Sequence, residues 1–149
     1  MRLLGLIAAA ILAVSAFSPA NAAKISKSEI SKILTEQGYA VRDFQPNMVA
    51  VIVGEYVVLV GVAGDDGDIS YITFLPDVDG DSVSYDLLNK FNNEVKFGRA
   101  YIDSDGDVAI QMDRNSSGGV SAENIESDFD VFLLLISKFL SDLEGQTIA

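Results

Sequence analysis

Cysteine and histidine are both absent from the 149 residues. The missing cysteines exclude disulfides, thiol nucleophiles and thiol redox. The missing histidines exclude Ser-His-Asp triads and histidine-ligated haem, and the two absences together exclude ordinary zinc sites. Stability must come from packing alone. Basic residues are scarce as well, with 10 Lys and Arg against 22 Asp and Glu, a net charge of −12. Such a surface repels phosphate backbones and anionic lipid headgroups, so neither nucleic acid nor a membrane surface is an expected partner; a charged partner should be basic. Internal repeats and low-complexity tracts are also lacking.

The chain opens MRLLGLIAAAILAVSAFSPANAA, with one cation at Arg2, an apolar run from Leu3 to Phe17, Pro19, and the small-x-small triplet Ala20-Asn21-Ala22. This pattern predicts a secretory signal peptide over residues 1–22, cleaved after Ala22. The apolar run is too short to anchor the chain, because a spanning helix takes about 20 residues. Cleavage leaves 127 residues with nine basic and 22 acidic side chains, net −13. That length suits a single domain over 23–149 with a real core. The expected address is the periplasm or the exterior of a Gram-negative bacterium, with no membrane contact in the mature form.

Ser26 and Glu29 form a capping-box pattern, with Ile25 placed to staple against Ile30, and Gly38 offers a left-handed stop. A helix is predicted over Lys27–Gln37. From Tyr39 to Leu75 the residues turn β-branched and aromatic. Met48–Val53 and Tyr56–Ala63 flank Gly54-Glu55 as a hairpin, and Ile69–Leu75 is a third strand. Tyr39–Phe44 is either a further edge strand or an extended lead-in. The strand Tyr56–Ala63 is apolar at both parities, with Val58, Val60 and Val62 on one face and Val57 and Leu59 on the other. One layer of helices covers one face only, so the second apolar face hints at association. After the acidic loop Asp77–Asp81, a second helix is predicted over Val83–Val95, capped by Ser82 or Ser84. Asn89 and Asn92 should bond nearby backbone as the chain turns at Gly98.

The following hairpin reveals its own register. A two-residue turn at Asp105-Gly106 would scatter apolar residues over both faces. A three-residue loop, Ser104-Asp105-Gly106, puts Ala100, Ile102, Val108 and Ile110 together, which a half-buried sheet selects, with Gly106 at the left-handed bulge position. Asn115–Gly119 is then a loop and Ser121 caps a final helix that Gly145 closes. Ile125, Phe129, Phe132, Ile136, Phe139, Leu140 and Leu143 form its core stripe. Val131, Leu134 and Leu135 fall off that stripe and are the candidate partner interface, because this turn is apolar almost all round.

Three acidic loops invite a cation: Asp77-x-Asp79-Gly-Asp81, Asp103-x-Asp105-Gly-Asp107 and Asp65-Asp66-Gly67-Asp68. Calcium takes six to eight oxygens, but the EF-hand template fails here. Its sixth position holds Ser82 or Val108 in place of Gly, and its twelfth holds Leu88 or Arg114 in place of Glu. Asp77, Asp79, Asp81, Asp103, Asp105 and Asp107 therefore stay weak metal candidates beside their role as turn formers. No acid pair stands out for carboxylate-pair hydrolysis. No Ser-x-x-Lys or Gly-x-Ser-x-Gly motif is present, and Gly118-Gly119 is a loop without the context of a phosphate cradle. No catalytic residue and no cofactor is expected.

The stretch with Asn89, Phe91 and Asn92, then Phe97-Gly-Arg-Ala-Tyr-Ile-Asp103, two strands, Gly118-Gly119 and a long last helix resembles the YbjN family of bacterial proteins. The resemblance covers about Ile25 to Leu143. It implies an α+β, two-layer fold like that of type III secretion chaperones: an antiparallel sheet of about five strands packed by helices, in the order α-β-β-β-α-β-β-α. Members are described as sensory transduction regulators, and the related chaperones are non-enzymatic dimers that hold extended partner segments. The implied function is a non-enzymatic binding or regulatory module working through protein contacts, as a homodimer. The alternative is a divalent-cation module using the acidic loops.

Overall fold

The computed structural model describes residues 24–147; the signal-peptide expectation lies outside the described residues. Helix α1 spans Lys27–Glu36, followed by β1 (Ala40–Gln45), β2 (Met48–Val53), β3 (Tyr56–Ala63) and β4 (Asp68–Asp79). A 3-10 turn at Gly80–Ser82 leads into α2 (Tyr85–Glu94), β5 (Gly98–Ile102), β6 (Asp107–Arg114) and α3 (Ala122–Thr147). All strand pairs are antiparallel, and the sheet has six strands in the order β1-β2-β3-β4-β6-β5. The sheet exceeds the expected five strands because the stretch after Tyr39 pairs with β2 as an edge strand.

Local chemistry explains the element ends. The Ser26 hydroxyl accepts from the Glu29 amide while the Glu29 carboxylate accepts from the Ser26 amide, closing the capping box. At the other end Gly38, at φ +94°, lets the Tyr39 and Gly38 amides return to the carbonyls of Leu34 and Thr35, a Schellman stop. In the β5–β6 hairpin Ala100 faces Ile110 and Ile102 faces Val108, the register of the three-residue loop. Gly106 there has φ +90°. Asp103 Oδ1 accepts from the amides of Asp105 and Asp107, which holds the loop closed.

Sheet residues Val49, Val51, Val58, Val60, Ile69, Tyr71, Ile110 and Met112 share one face and form a single buried core with the helices. Tyr71 meets Phe129 and Phe132 of α3 at ring-centroid distances of 6.4 and 5.9 Å. Helix α1 lies over β1 and β2, α2 along β5, and α3 between them over β5 and β6. Asn92 joins α2 to the sheet: its side-chain amide donates to the Ala100 carbonyl (3.0 Å) and its oxygen accepts from the Ala100 amide (2.8 Å). Those are the two bonds a neighbouring strand would supply, so Asn92 closes the middle of the β5 edge. Asn89 makes no comparable bond among the described residues.

Several boundaries differ from expectation. Strand β4 runs on to Asp79, past an irregularity after Phe74, because Asp79 pairs with Asp107. Helix α2 begins at Tyr85 with Ser84 as its cap, since Val83 belongs to the exit of the 3-10 turn. Gly145 lies inside α3, whose end is tied down when Gln146 bonds to the Ser84 hydroxyl and the Ser82 carbonyl. The turn after α2 falls on Phe97 at φ +71°, while Gly98 is already strand.

Two outcomes follow for stability. The Glu29 carboxylate is held below its ordinary value of 4.5 by the Ser26 hydroxyl and amide. A folded value below the unfolded one means that its contribution is complete above about 4.5 and is lost as pH falls through the lower folded value. Glu29→Gln should therefore cost stability at pH 7 and progressively less as pH falls below about 4.5 in paired urea titrations. Asn92→Ala should destabilise by roughly 1–3 kcal/mol in the same assay at pH 7, since two backbone groups of the buried Ala100 lose their partners.

Candidate interaction surfaces

The core stripe of α3 places Ile125, Phe129, Phe132, Ile136 and Phe139 inside, with Leu140 and Leu143 only half-buried. Ser121 caps the helix by accepting from the Asn124 amide. Of the three residues expected at a partner interface, Leu134 is 68% exposed and Val131 half-buried, but Leu135 is 6% exposed. Leu135 is thereby removed from the surface. A Cβ on Gly98 would come within 2.4 Å of Leu135 Cδ1, so the missing side chain at Gly98 opens the hole that Leu135 fills.

The same close approach accounts for Phe97. Gly98 must enter the strand flat beneath α3, and the preceding residue takes the reversal. Its ring is left 76% exposed. A bulky residue at positive φ is an uncommon and strained choice, of order 1–3 kcal/mol, where Asn or Gly would serve the turn. Phe97 and Val131 flank a cleft of about 340 Å³ that also involves Met112, Arg114, Asn115 and Asp128. Arg114 pairs with Asp128 through two guanidinium nitrogens, and this hydrogen bonding raises the Arg114 pKa. Burial pushes the Tyr71 phenol up, with Asp128 adding to it, and its hydroxyl has no hydrogen-bond partner among the described residues. Beyond Leu134, Lys138 bridges Asp142 and Glu94, linking α3 to α2. Phe97 was visible in the sequence only as the residue before a glycine; nothing in the spacing signalled its exposure.

A second surface is the face of the sheet away from the helices. Met48, Ile52, Val57, Leu59, Ile72 and Phe74 lie on it across β2, β3 and β4. Val57 and Phe74 are 43% and 42% exposed, and Phe44 on β1 is 53% exposed. Its far corner is polar: Asp113 accepts from Ser70 and Gln111, with Arg99 3.6 Å away and the Tyr101 hydroxyl on Gln111.

The acidic loops meet at one end of this face. The Gly80 amide donates to the Gly106 carbonyl, joining the Asp77–Asp81 and Asp103–Asp107 segments. A cleft of about 650 Å³ is lined by Asp77, Asp79, Asp105 and Asp107 together with Phe74 and Pro76. Asp79 and Asp103 spend carboxylate oxygens on neighbouring amides, and Asp81 lies across the 3-10 turn in a second cleft. Asp65 and Asp66 lie at the opposite end, in the β3–β4 loop where Lys24 bonds the Gly64 and Asp65 carbonyls. Among the described residues no group of three acids is arranged to hold a metal.

The sequence profile of the YbjN family, described as "Putative bacterial sensory transduction regulator", matches residues 26–145. The chain belongs to the YbjN family. No curated protein matches it. Its fold is similar to the crystal structure of YbjN from E. coli, titled as a putative transcription regulator. The TM-score is 0.64 at 14% identity, over 85% of this chain and 95% of that one. It is also similar to the Yersinia pestis type III secretion chaperone SycH, solved in complex with a stable fragment of YscM2. There the TM-score is 0.54 at 16% identity, over 76% of this chain and 96% of that one. At such identities the likeness establishes the α+β chaperone-like fold of this YbjN member; the family's described type, a regulator, and the fold neighbour's, a chaperone, are non-enzymatic types.

Asp79 and Asp103 already hold their own turns, so millimolar calcium should leave the thermal midpoint of residues 23–149 unchanged. An upward shift growing with calcium concentration would show selective binding to the folded state.

Proposed function

We propose that this chain is an exported, non-enzymatic binding module that works through protein contacts and pairs with a second copy through Phe97, Val131 and Leu134. The observation that carries the reading is Phe97: a strained, exposed aromatic that shares a cleft with Val131 of α3, the helix that also exposes Leu134. Strain of that kind persists where the surroundings enforce it and clusters at functional positions. Apolar side chains grouped outside the core are the ordinary mark of an interface. The YbjN family's regulatory description and the protein-bound state of the SycH neighbour support a role in protein contacts. Export rests on the leader pattern at residues 1–22. The cation alternative has less support, because Asp79 and Asp103 serve their own turns and no group of three acids among the described residues is arranged to hold a metal.

Sedimentation equilibrium on the mature chain tests the pairing. Leu134→Lys and Phe97→Asn should each shift the solution mass toward monomer, weakening association by about tenfold or more, with the fold retained. Phe97→Asn should also keep or raise the melting temperature of the monomer, since Asn tolerates the left-handed conformation. An unchanged solution mass accompanied by lowered monomer stability would overturn the assignment.

A further inference from the structure

The uncovered sheet face carries an inference that deepens the protein-binding reading by assigning a partner chemistry to a different surface. The six strands are long enough to define a platform: β3 has eight residues, roughly 26 Å at about 3.3 Å per residue. Its middle is apolar and carries no acid, with Ile52, Val57, Leu59, Ile72 and Phe74 in adjacent rows. Charge sits at the two strand ends. One end has Asp65 and Asp66 in the β3–β4 loop, two acids against the single cation Lys24 bonded to the loop carbonyls; the other has Glu55 at the β2–β3 turn and the joined acidic loops, whose carboxylates share a cleft with Phe74. The lateral flanks are different, with Arg42 on β1 and, on β5, Arg99 paired with Asp113 of β6.

We infer that this face docks an amphipathic helix from another protein, about as long as a strand, with an apolar stripe and basic residues at both ends. The layer architecture asks for it: helices already cover the opposite face, and an apolar sheet surface is stably covered by a second helical layer or another sheet. Electrostatics separates those two covers. A second copy stacked face to face with its strands aligned has acid at both ends of its strands, so a two-fold axis along or across the strands sets acidic rim against acidic rim in a chain of net charge −12. A basic helix meets the same rims with opposite charge. Spanning 26 Å takes roughly 18 helical residues at about 1.5 Å each.

The probe is a labelled synthetic peptide of roughly 18 residues with a leucine stripe and lysines in its first and last turns. Fluorescence anisotropy with the mature chain should show saturable binding that weakens with added salt. Replacing the terminal lysines by glutamates should lower affinity by about tenfold or more, as should the chain variant carrying Val57→Lys and Phe74→Lys. Leu134→Lys should leave peptide binding unchanged, which keeps this test independent of self-association through α3. A photoreactive residue at the peptide centre, used with the wild-type chain, should crosslink to β2, β3 or β4. Equal binding of the glutamate peptide, or crosslinks confined to α3, would overturn the inference. So would loss of self-association in the Val57→Lys and Phe74→Lys chain, which would give the face to a second copy.

Discussion

Three helices can cover one face of a six-stranded sheet and no more, and this limit organises the molecule. The covered face is close-packed around Tyr71, Phe129, Phe132, Phe91 and Phe139, with Phe91 and Phe139 in edge contact at 5.2 Å. A chain without disulfides must draw its stability from packing, and this one layer supplies it. The uncovered face retains apolar side chains that the monomer does not bury, which is the physical reason to read the protein through its surfaces.

Unpaired strand edges are the usual route by which such a sheet would associate without control, and both are managed here. Asn92 supplies a strand's hydrogen bonds to Ala100 on β5. On the other side β1 breaks register between Asp43 and Gln45, is followed by Pro46, and has its last carbonyl bonded by Lys27. With the edges blunted, recognition is left to faces. Phe97 with Val131, on the helix that exposes Leu134, offers one, and the open side of β2, β3 and β4 offers another. The charge on the acidic loops then bears on which partners approach, although those carboxylates form no cage of their own.

Much of the local architecture was legible residue by residue. The capping box at Ser26, the stop at Gly38, the cap at Ser84 and the hairpin register at Gly106 all follow from chemistry confined to a few neighbours. The alternation of apolar residues also foretold a strand with two apolar faces. The candidate site was half legible: Leu134 is exposed off the core stripe, but Leu135 is buried and Phe97 gave no signal. Periodicity places a residue on a side of a helix without saying what lies opposite, and here what lies opposite is a glycine on a strand distant in sequence.

What the sequence by itself determined was the three helices, five of the six strands, their order along the chain and the acidic charge, because each depends on composition or on near neighbours. Only the tertiary structure decided that Gly98 admits Leu135 and that the strain falls on Phe97. It alone showed that β4 extends to meet Asp107 and that Gln146 carries α3 past Gly145. Each of these is a contact between segments far apart along the chain, set by how closely two backbones can approach, and no local pattern encodes that distance.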